Sequence, residues 1–199
     1  MKTPAPAARR SQLIHAAEVV FTTHGYHASS VADIAQQAGV SHGTFYNYFK
    51  NKQDALEAIV DSTTQEFLDI FTLNPTTTLN TFDELLEHFN TVLHAGVELA
   101  QRKTDIIELI VFDAAAADSS FFARSLGTYI HVSRAVEEAL ARAVARNMIS
   151  SDTDTMVYSE TIVALALALI LPGSETPETN RTKDIDALLD FVRHALSNR

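Results

Sequence analysis

Residues 41–52, SHGTFYNYFKNK, concentrate side chains that can bind another molecule through hydrogen bonds and charge. Four aromatic rings fall between Phe45 and Phe49, although the whole chain has only 11 phenylalanines and 5 tyrosines. A serine and a threonine precede them, an asparagine lies among them, and two lysines follow. These polar types contact base edges and phosphate oxygens in protein–DNA complexes. The stretch is therefore either a fragment of core or a surface that touches a partner.

The helical angle divides the aromatic residues into two groups. At about 100° per residue, Phe45 and Phe49 lie one turn apart on the same stripe of a helix. Val40, just before the helix, continues that stripe. We therefore expect Phe45 and Phe49 to face the core.

The opposite side of the same helix carries small or hydrogen-bonding groups, as expected of a helix that lies in a major groove. Gly43 allows close approach to the bases, and Thr44 and Asn47 can meet base edges. The hydroxyls of Tyr46 and Tyr48 can reach phosphate oxygens, contacts that position a protein without reading sequence.

The neighbouring sequence predicts the elements that position this helix. A longer helix is expected from about Arg9 to Thr23, and Ser30 is the expected N-cap of a short helix over 31–38. Gly39 supplies a left-handed turn without steric cost, and Ser41 caps the second short helix, through Phe49. Two short helices around a glycine turn, after a longer one, form the outline of a helix-turn-helix.

Two residues at helix starts are candidates for anion contacts. Lys52 lies in the first turn of the next helix, where its charge and the free N–H groups both favour an anion. Ser30 has the corresponding position at the preceding short helix.

The stretch 25–56 resembles the DNA-binding head of the TetR family of bacterial regulators. The stretch comprises 32 of the 199 residues of the chain. Ser30 stands where the family commonly has threonine, and it keeps the hydroxyl. His42 and Asn47 occupy positions that vary in the family, so we expect them to carry the operator preference. The matching residues are Gly25-Tyr26, Ser30-Val31, Ile34-Ala35, Gly39-Val40-Ser41, Gly43-Thr44, Tyr46, Phe49, Lys52 and Leu56.

The resemblance implies an all-α protein with a helical body that dimerises through its last two long helices and binds a small molecule among the middle ones. We predict about nine helices in total. Residues 1–8 are expected to be a flexible tail, 9–51 a three-helix helix-turn-helix domain, and 52–199 an effector-binding and dimerisation domain.

Apolar periodicity and capping patterns place the helices of the body. Asn51 with Asp54, and Thr81 with Glu84, are expected to form capping boxes. The helix over 154–171 is apolar nearly all round, and the last helix has one apolar stripe. Pairs of these helices from two subunits would form a two-fold four-helix interface, and burial within one chain is the alternative. The predicted ranges are about 52–71, 82–101, 105–116, 119–147, 154–171 and 182–197.

Polar groups that interrupt apolar stripes mark a candidate effector site, because ligand cavities are usually apolar with few polar groups. They belong to the helices over 82–101 and 119–147, and aromatic residues complete the wall. The expected effector is an unidentified, largely apolar or aromatic small molecule, and ordinary core is the alternative role of each residue. The candidates are Phe89, Asn90, Phe112, Phe122, Tyr129, Ser133 and Tyr158.

Composition and charge restrict the class of protein. The net charge of −10 is uneven, with +3 on residues 1–53 and −13 on 54–199. There are no cysteines, and the longest apolar run has ten residues, 162–171. A membrane-spanning helix needs roughly 20. We expect a soluble, cytoplasmic protein with no membrane partner and no cofactor or metal.

Two other functions are alternatives to a DNA-binding regulator. A di-iron helical bundle needs Glu-x-x-His pairs, and the sequence has none, so we expect no enzyme. An architectural DNA binder without sequence preference needs abundant basic charge, which a pI near 5.1 does not provide. The sequence thus favours a homodimeric, ligand-responsive repressor that binds double-stranded DNA at a palindromic operator.

Overall fold

The fold is all-α, as predicted. The computed structural model describes residues 6–72, 79–114, 119–170 and 178–197, and every regular element in these ranges is helical. A π-helical segment, Leu109–Ala114, follows the sixth of the nine α-helices within these ranges. The α-helices are α1 (Pro6–His24), α2 (Val31–Gln37), α3 (His42–Tyr46), α4 (Lys52–Thr72), α5 (Phe82–Arg102), α6 (Thr104–Glu108), α7 (Ser119–Ala145), α8 (Thr155–Ile170) and α9 (Glu178–Leu196).

The chain divides into two compact units, each with its own apolar core. The N-terminal unit comprises Met1–Gln65 and Asp105–Phe121, and the C-terminal unit comprises Glu66–Thr104 and Phe122–Arg199. Helix α4 begins in the first unit and ends in the second. The predicted domain boundaries, after residues 8 and 51, stay a prediction.

The core of the N-terminal unit forms around α1. This helix begins at Pro6, inside the segment predicted as a tail, and proline suits a first helical position because its missing N–H has no helical partner there. Phe45 and Phe49 join this core, with 0% and 2% of their surface exposed, which confirms the predicted core face. The buried face of α1 consists of Leu13, Ala16, Ala17, Val20 and Phe21.

Helix α3 is shorter than predicted. It ends at Tyr46, with Asn47 as its C-cap, instead of continuing through Phe49. The cause is the start of α4: the Asn51 Oδ1 accepts the Asp54 N–H at 2.8 Å, and the Asp54 carboxylate accepts the Lys50 N–H at 2.9 Å. These two bonds fix the backbone outside the helix immediately after Phe49.

The C-terminal unit buries faces of α5, α7, α8 and α9 in one cluster. The predicted capping box at the start of α5 is present: the Thr81 Oγ1 accepts the Glu84 N–H at 3.2 Å, and the Glu84 carboxylate accepts the Thr81 N–H at 3.1 Å. Bonds from the N–H groups of Asn80 and Thr81 lower the pKa of Glu84. Arg193 of α9 pairs with Asp83 of α5 at 2.8 Å.

Several helix ends in this unit differ from the predicted ones. Helix α7 ends at Ala145, and Asn147 then adopts a left-handed conformation with φ 55°, which turns the chain. Helix α9 begins at Glu178, earlier than predicted. None of the helices in the described ranges is long and apolar enough to cross a membrane.

Candidate nucleic-acid interface

Helices α2 and α3 form the predicted helix-turn-helix. Gly39 between them has φ 63°, the left-handed conformation that the turn requires. The Ser41 Oγ accepts the Thr44 N–H at 3.2 Å and so caps α3. The Gln12 side chain of α1 donates to the Ala38 carbonyl at 2.8 Å, which fixes the end of α2 against α1.

Exposure differs sharply between the two sides of α3. Phe45 is fully buried, whereas the adjacent Tyr46 has 51% of its surface exposed. His42, Gly43 and Asn47 are exposed as well. The residues predicted to contact DNA from α3 thus include a contiguous exposed group on the side away from the core.

Gly43 has no role within the fold. A Cβ added there would lie 3.9 Å from the Ser41 Oγ, which is an ordinary contact, and Gly43 is not among the glycines with positive φ. Glycine in a helix is less favourable than alanine by roughly 0.5–1 kcal/mol. The absence of a side chain at this exposed position is therefore explained by neither backbone conformation nor packing.

Local contacts hold the other residues that were predicted to bind DNA from α3 and from the segment directly after it. The hydroxyls of Thr44 and Ser41 lie 2.8 Å apart, and the rings of Tyr46 and His42 meet edge to face at 5.2 Å between centroids. Tyr48 is half-buried and packs against the core of the N-terminal unit. These contacts restrict the side chains before any partner binds.

Ser30 and Lys52 both make bonds within the chain. Ser30 forms a capping box with Asp33, whose carboxylate accepts from the Ser30 N–H at 2.8 Å and from its hydroxyl at 2.7 Å. These bonds lower the pKa of Asp33. The Lys52 ammonium donates to three backbone carbonyls, those of Tyr26, His27 and Ser29. The predicted phosphate contacts of Ser30 and Lys52 stay predictions.

The sequence reasoning missed three contacts that organise this surface. The Arg10 guanidinium lies 5.2 Å from the centroid of the Phe49 ring, and Lys52 lies 4.5 Å from that of Tyr26. Gln12 bonds to Ala38. All three join residues at least 26 positions apart, so no local pattern could indicate them.

The predicted effector residues of the C-terminal unit are distributed along its core. Phe89 is buried, and the Tyr129 hydroxyl donates to the Glu160 carbonyl at 3.2 Å. Ser133 is buried with no hydrogen-bond partner for its hydroxyl, whereas Asn90 is half-buried, with Glu87 3.5 Å from its amide. The side chains of Phe112 and Phe122 lie outside the described part of the chain.

An apolar groove of about 300 Å³ lies between α8 and α9. Tyr158 is the one predicted effector residue that lines it. Phe191 and Val157 at its rim are 52% and 50% exposed. The lining consists of Val157, Tyr158, Thr161, Ile162, Phe191, Val192, Ala195 and Leu196.

A family model described as "Bacterial regulatory proteins, tetR family" matches residues 13–59, which include α2, α3 and the start of α4. Residues 13–59 are thus a DNA-binding domain of the TetR type. The fatty acid metabolism regulator protein of Bacillus subtilis (strain 168) is 47% identical to this chain over 58 residues. That match spans 29% of this chain and 30% of the length of the relative.

Longer matches extend over the C-terminal unit as well. ArpR of Pseudomonas putida, described as a probable HTH-type transcriptional regulator, is 25% identical over 206 residues, 92% of this chain and 91% of the relative. A solved complex of SmeT with triclosan has a TM-score of 0.80 at 24% identity and covers 96% of this chain and 92% of that chain. At this identity, the structural likeness establishes the fold of the chain and no more.

Proposed function

We propose that the chain is a homodimeric transcriptional repressor that binds a palindromic DNA operator and releases it when a small molecule binds. The observation that carries the proposal is the exposed side of α3. It presents a glycine that the fold does not need, flanked by hydrogen-bonding side chains, directly beside the buried Phe45. A surface of this kind suits a backbone that must approach DNA bases closely.

The roles of the α3 side chains follow from their chemistry. Thr44, Asn47 and His42 contact base edges, because their hydroxyl, amide and imidazole groups can read the donor and acceptor pattern of the major groove. Tyr46 and Tyr48 contact phosphates, as does Ser30 at the start of α2. Gly43 allows α3 to sit close to the base pairs.

The dimer is proposed to form through α8 and α9. Within one chain α8 buries only Ser159, Ile162 and Val163, although it is the most apolar helix. Val157 and Leu165 of α8 and Phe191 of α9 are all at least 40% exposed. A second copy that covers these faces would complete a four-helix interface around a two-fold axis. Two α3 helices would then meet half-sites in successive major grooves.

The effector is proposed to be a largely apolar or aromatic small molecule that binds among the helices of the C-terminal unit. Phe89, Tyr129 and Ser133 are the candidates with the clearest support, since the buried Ser133 hydroxyl lacks a protein partner. SmeT has been solved with triclosan, which is an aromatic molecule of this class. Release requires that the effector bind more tightly to the protein off DNA than on it.

Selection from a pool of random duplex DNA tests the proposal. The purified protein is incubated with the pool, and bound duplexes are recovered over several rounds and sequenced. The proposal predicts enrichment of one inverted repeat. Recovery of the pool without enrichment would contradict it and would favour an architectural DNA binder, and a steep loss of binding with salt would support that alternative.

A further inference from the structure

His42 and Tyr46 form an aromatic pair on the exposed side of α3. They stand four positions apart, a spacing that brings two side chains together on one face of a helix. Their ring centroids lie 5.2 Å apart and the ring planes meet at 76°, which is the edge-to-face arrangement that aromatic rings favour. The two exposed side chains thus form a specific contact before any partner binds.

The Tyr46 ring is itself supported by the core of the N-terminal unit. The ring of Phe45 is perpendicular to it, at 90° and 5.6 Å between centroids. Phe45 is fully buried and also contacts Phe49, at 5.5 Å, so the packing of the core fixes its position. Tyr46 therefore connects a rigid buried ring to the exposed imidazole of His42.

The imidazole of His42 is held by this ring contact and not by a hydrogen bond. Among the residues that the structure describes, none makes a hydrogen bond to either ring nitrogen of His42. The Thr44 hydroxyl differs, because it lies 2.8 Å from the Ser41 hydroxyl. Both nitrogens of His42 are therefore available to the donors and acceptors of base edges.

We propose that Tyr46 is a positioning residue, whose ring orients the His42 imidazole toward one base pair of the operator. A side chain that must be ordered on binding costs affinity, and one that is already oriented avoids that cost. The ring acts in addition to the hydroxyl, for which a phosphate contact is proposed. This inference rests on the proposed function, because His42 is proposed there to contact base edges.

Two substitutions at position 46 remove the hydroxyl and the ring separately. Tyr46→Phe removes the hydroxyl and keeps the ring, whereas Tyr46→Leu removes both and keeps an apolar side chain that favours helix. Tyr46 is 51% exposed, so neither change opens a cavity in the core. All measurements are made at a temperature where circular dichroism shows each variant folded.

The test compares these variants with His42→Ala and with the double variant that combines His42→Ala and Tyr46→Leu. The probes are the duplex selected by the wild-type protein and its single-base-pair variants, each changed in one half-site. Discrimination is the ratio of the affinities for the selected and the changed duplex. The base pair at which His42→Ala loses discrimination is the one that His42 reads.

We expect Tyr46→Leu to lower discrimination at that base pair about two- to tenfold, the range that corresponds to one aromatic pair, and Tyr46→Phe to leave it unchanged. In the His42→Ala protein, Tyr46→Leu should lower discrimination no further, because the imidazole that the ring orients is absent. Unchanged discrimination in Tyr46→Leu, an equal loss in Tyr46→Phe or a further loss in the double variant would each overturn the proposal. So would a His42→Ala protein that keeps every base preference of wild type.

Proton NMR tests the positioning of His42 without DNA. In wild type and Tyr46→Phe, three-bond couplings should show one rotamer of His42, and its ring protons should be shifted by the ring at position 46. In Tyr46→Leu the side chain should average over several rotamers. Wild-type protein that selects no DNA sequence would refute the proposed function, and the NMR result would still decide whether Tyr46 orients His42. A His42 side chain that keeps one rotamer in Tyr46→Leu would refute that role whatever the outcome with DNA.

Discussion

At the scale of single residues, loss of a proposed contact of α3 should change either the preferred DNA sequence or the affinity for all sequences. Thr44→Ala and Asn47→Ala should alter the preferred DNA sequence, because each good base contact discriminates by about 1–3 kcal/mol. Tyr46→Phe should weaken binding to all sequences alike, because a phosphate contact reads no base. Competition between the selected duplex and single-base variants measures both effects. A uniform loss of affinity in all three proteins would refute the assignment of the base contacts.

Gly43→Ala tests whether the glycine serves the stability of the fold or the binding of DNA. The new methyl group meets only the Ser41 Oγ, at 3.9 Å, so we expect the free energy of unfolding to rise by about 0.5–1 kcal/mol. Binding to the selected duplex should weaken, because the methyl group lies between α3 and the bases. Urea unfolding and binding isotherms measure the two quantities. A variant that binds as tightly as wild type would contradict close approach at Gly43.

Residue roles could be predicted where they depend on local spacing. The 3.6-residue period was sufficient to assign Phe45 and Phe49 to the core. It could not reveal that Arg10 stacks on Phe49, or that the Lys52 ammonium is bonded to a turn more than 20 residues earlier. These contacts depend on tertiary packing, which local periodicity does not contain.

At the scale of elements, the capping box of α2 makes the stability of the N-terminal unit depend on pH. Bonds from Ser30 hold the pKa of Asp33 below its ordinary value of 3.8. The stabilisation is therefore present above the unfolded-state pKa and is lost as pH falls through the lower folded-state pKa. Asp33→Asn should unfold at a lower temperature than wild type at neutral pH.

Melting curves recorded at decreasing pH provide the measurement for this capping box. The difference in Tm between wild type and Asp33→Asn should shrink as pH falls below about 4. Glu84→Gln, at the equivalent position of α5, should behave in the same way because its pKa is lowered by similar bonds. A difference that stays constant down to acid pH would show that the Asp33 carboxylate does not stabilise α2.

Helix boundaries were predicted best where a capping pattern marks them. Ser30 and Thr81 cap α2 and α5 through the bonds that their sequence patterns indicate. Helix α3 ends earlier than predicted because the bonds at the start of α4 hold the backbone that follows it. The segment after α6 continues as a π-helix to Ala114, and the apolar period of the sequence does not distinguish a π-helix from an α-helix. The residue at which a helix ends depends on the hydrogen bonds of the segment that follows, and the sequence of the helix itself does not indicate those bonds.

At the scale of the whole molecule, the proposed repressor is a dimer. Val157→Glu and Phe191→Glu should each convert a dimer into a chain of 21.8 kDa, because a charge in an apolar interface is left without a partner. Light scattering coupled to size-exclusion chromatography measures the mass. Asp186→Asn, about 140° round α9 from Phe191, is the control and should leave the mass unchanged. Wild-type protein that elutes as a monomer would contradict the proposed interface.

Sequence-specific binding distinguishes the proposed repressor from an architectural DNA binder, and it is measured as the ratio of two affinities. The selected inverted repeat and a scrambled duplex of the same composition are titrated with the wild-type protein at physiological salt. We predict an affinity ratio of at least about 10³ and protection of two half-sites roughly one helical turn apart. Equal affinity for the two duplexes would contradict the account.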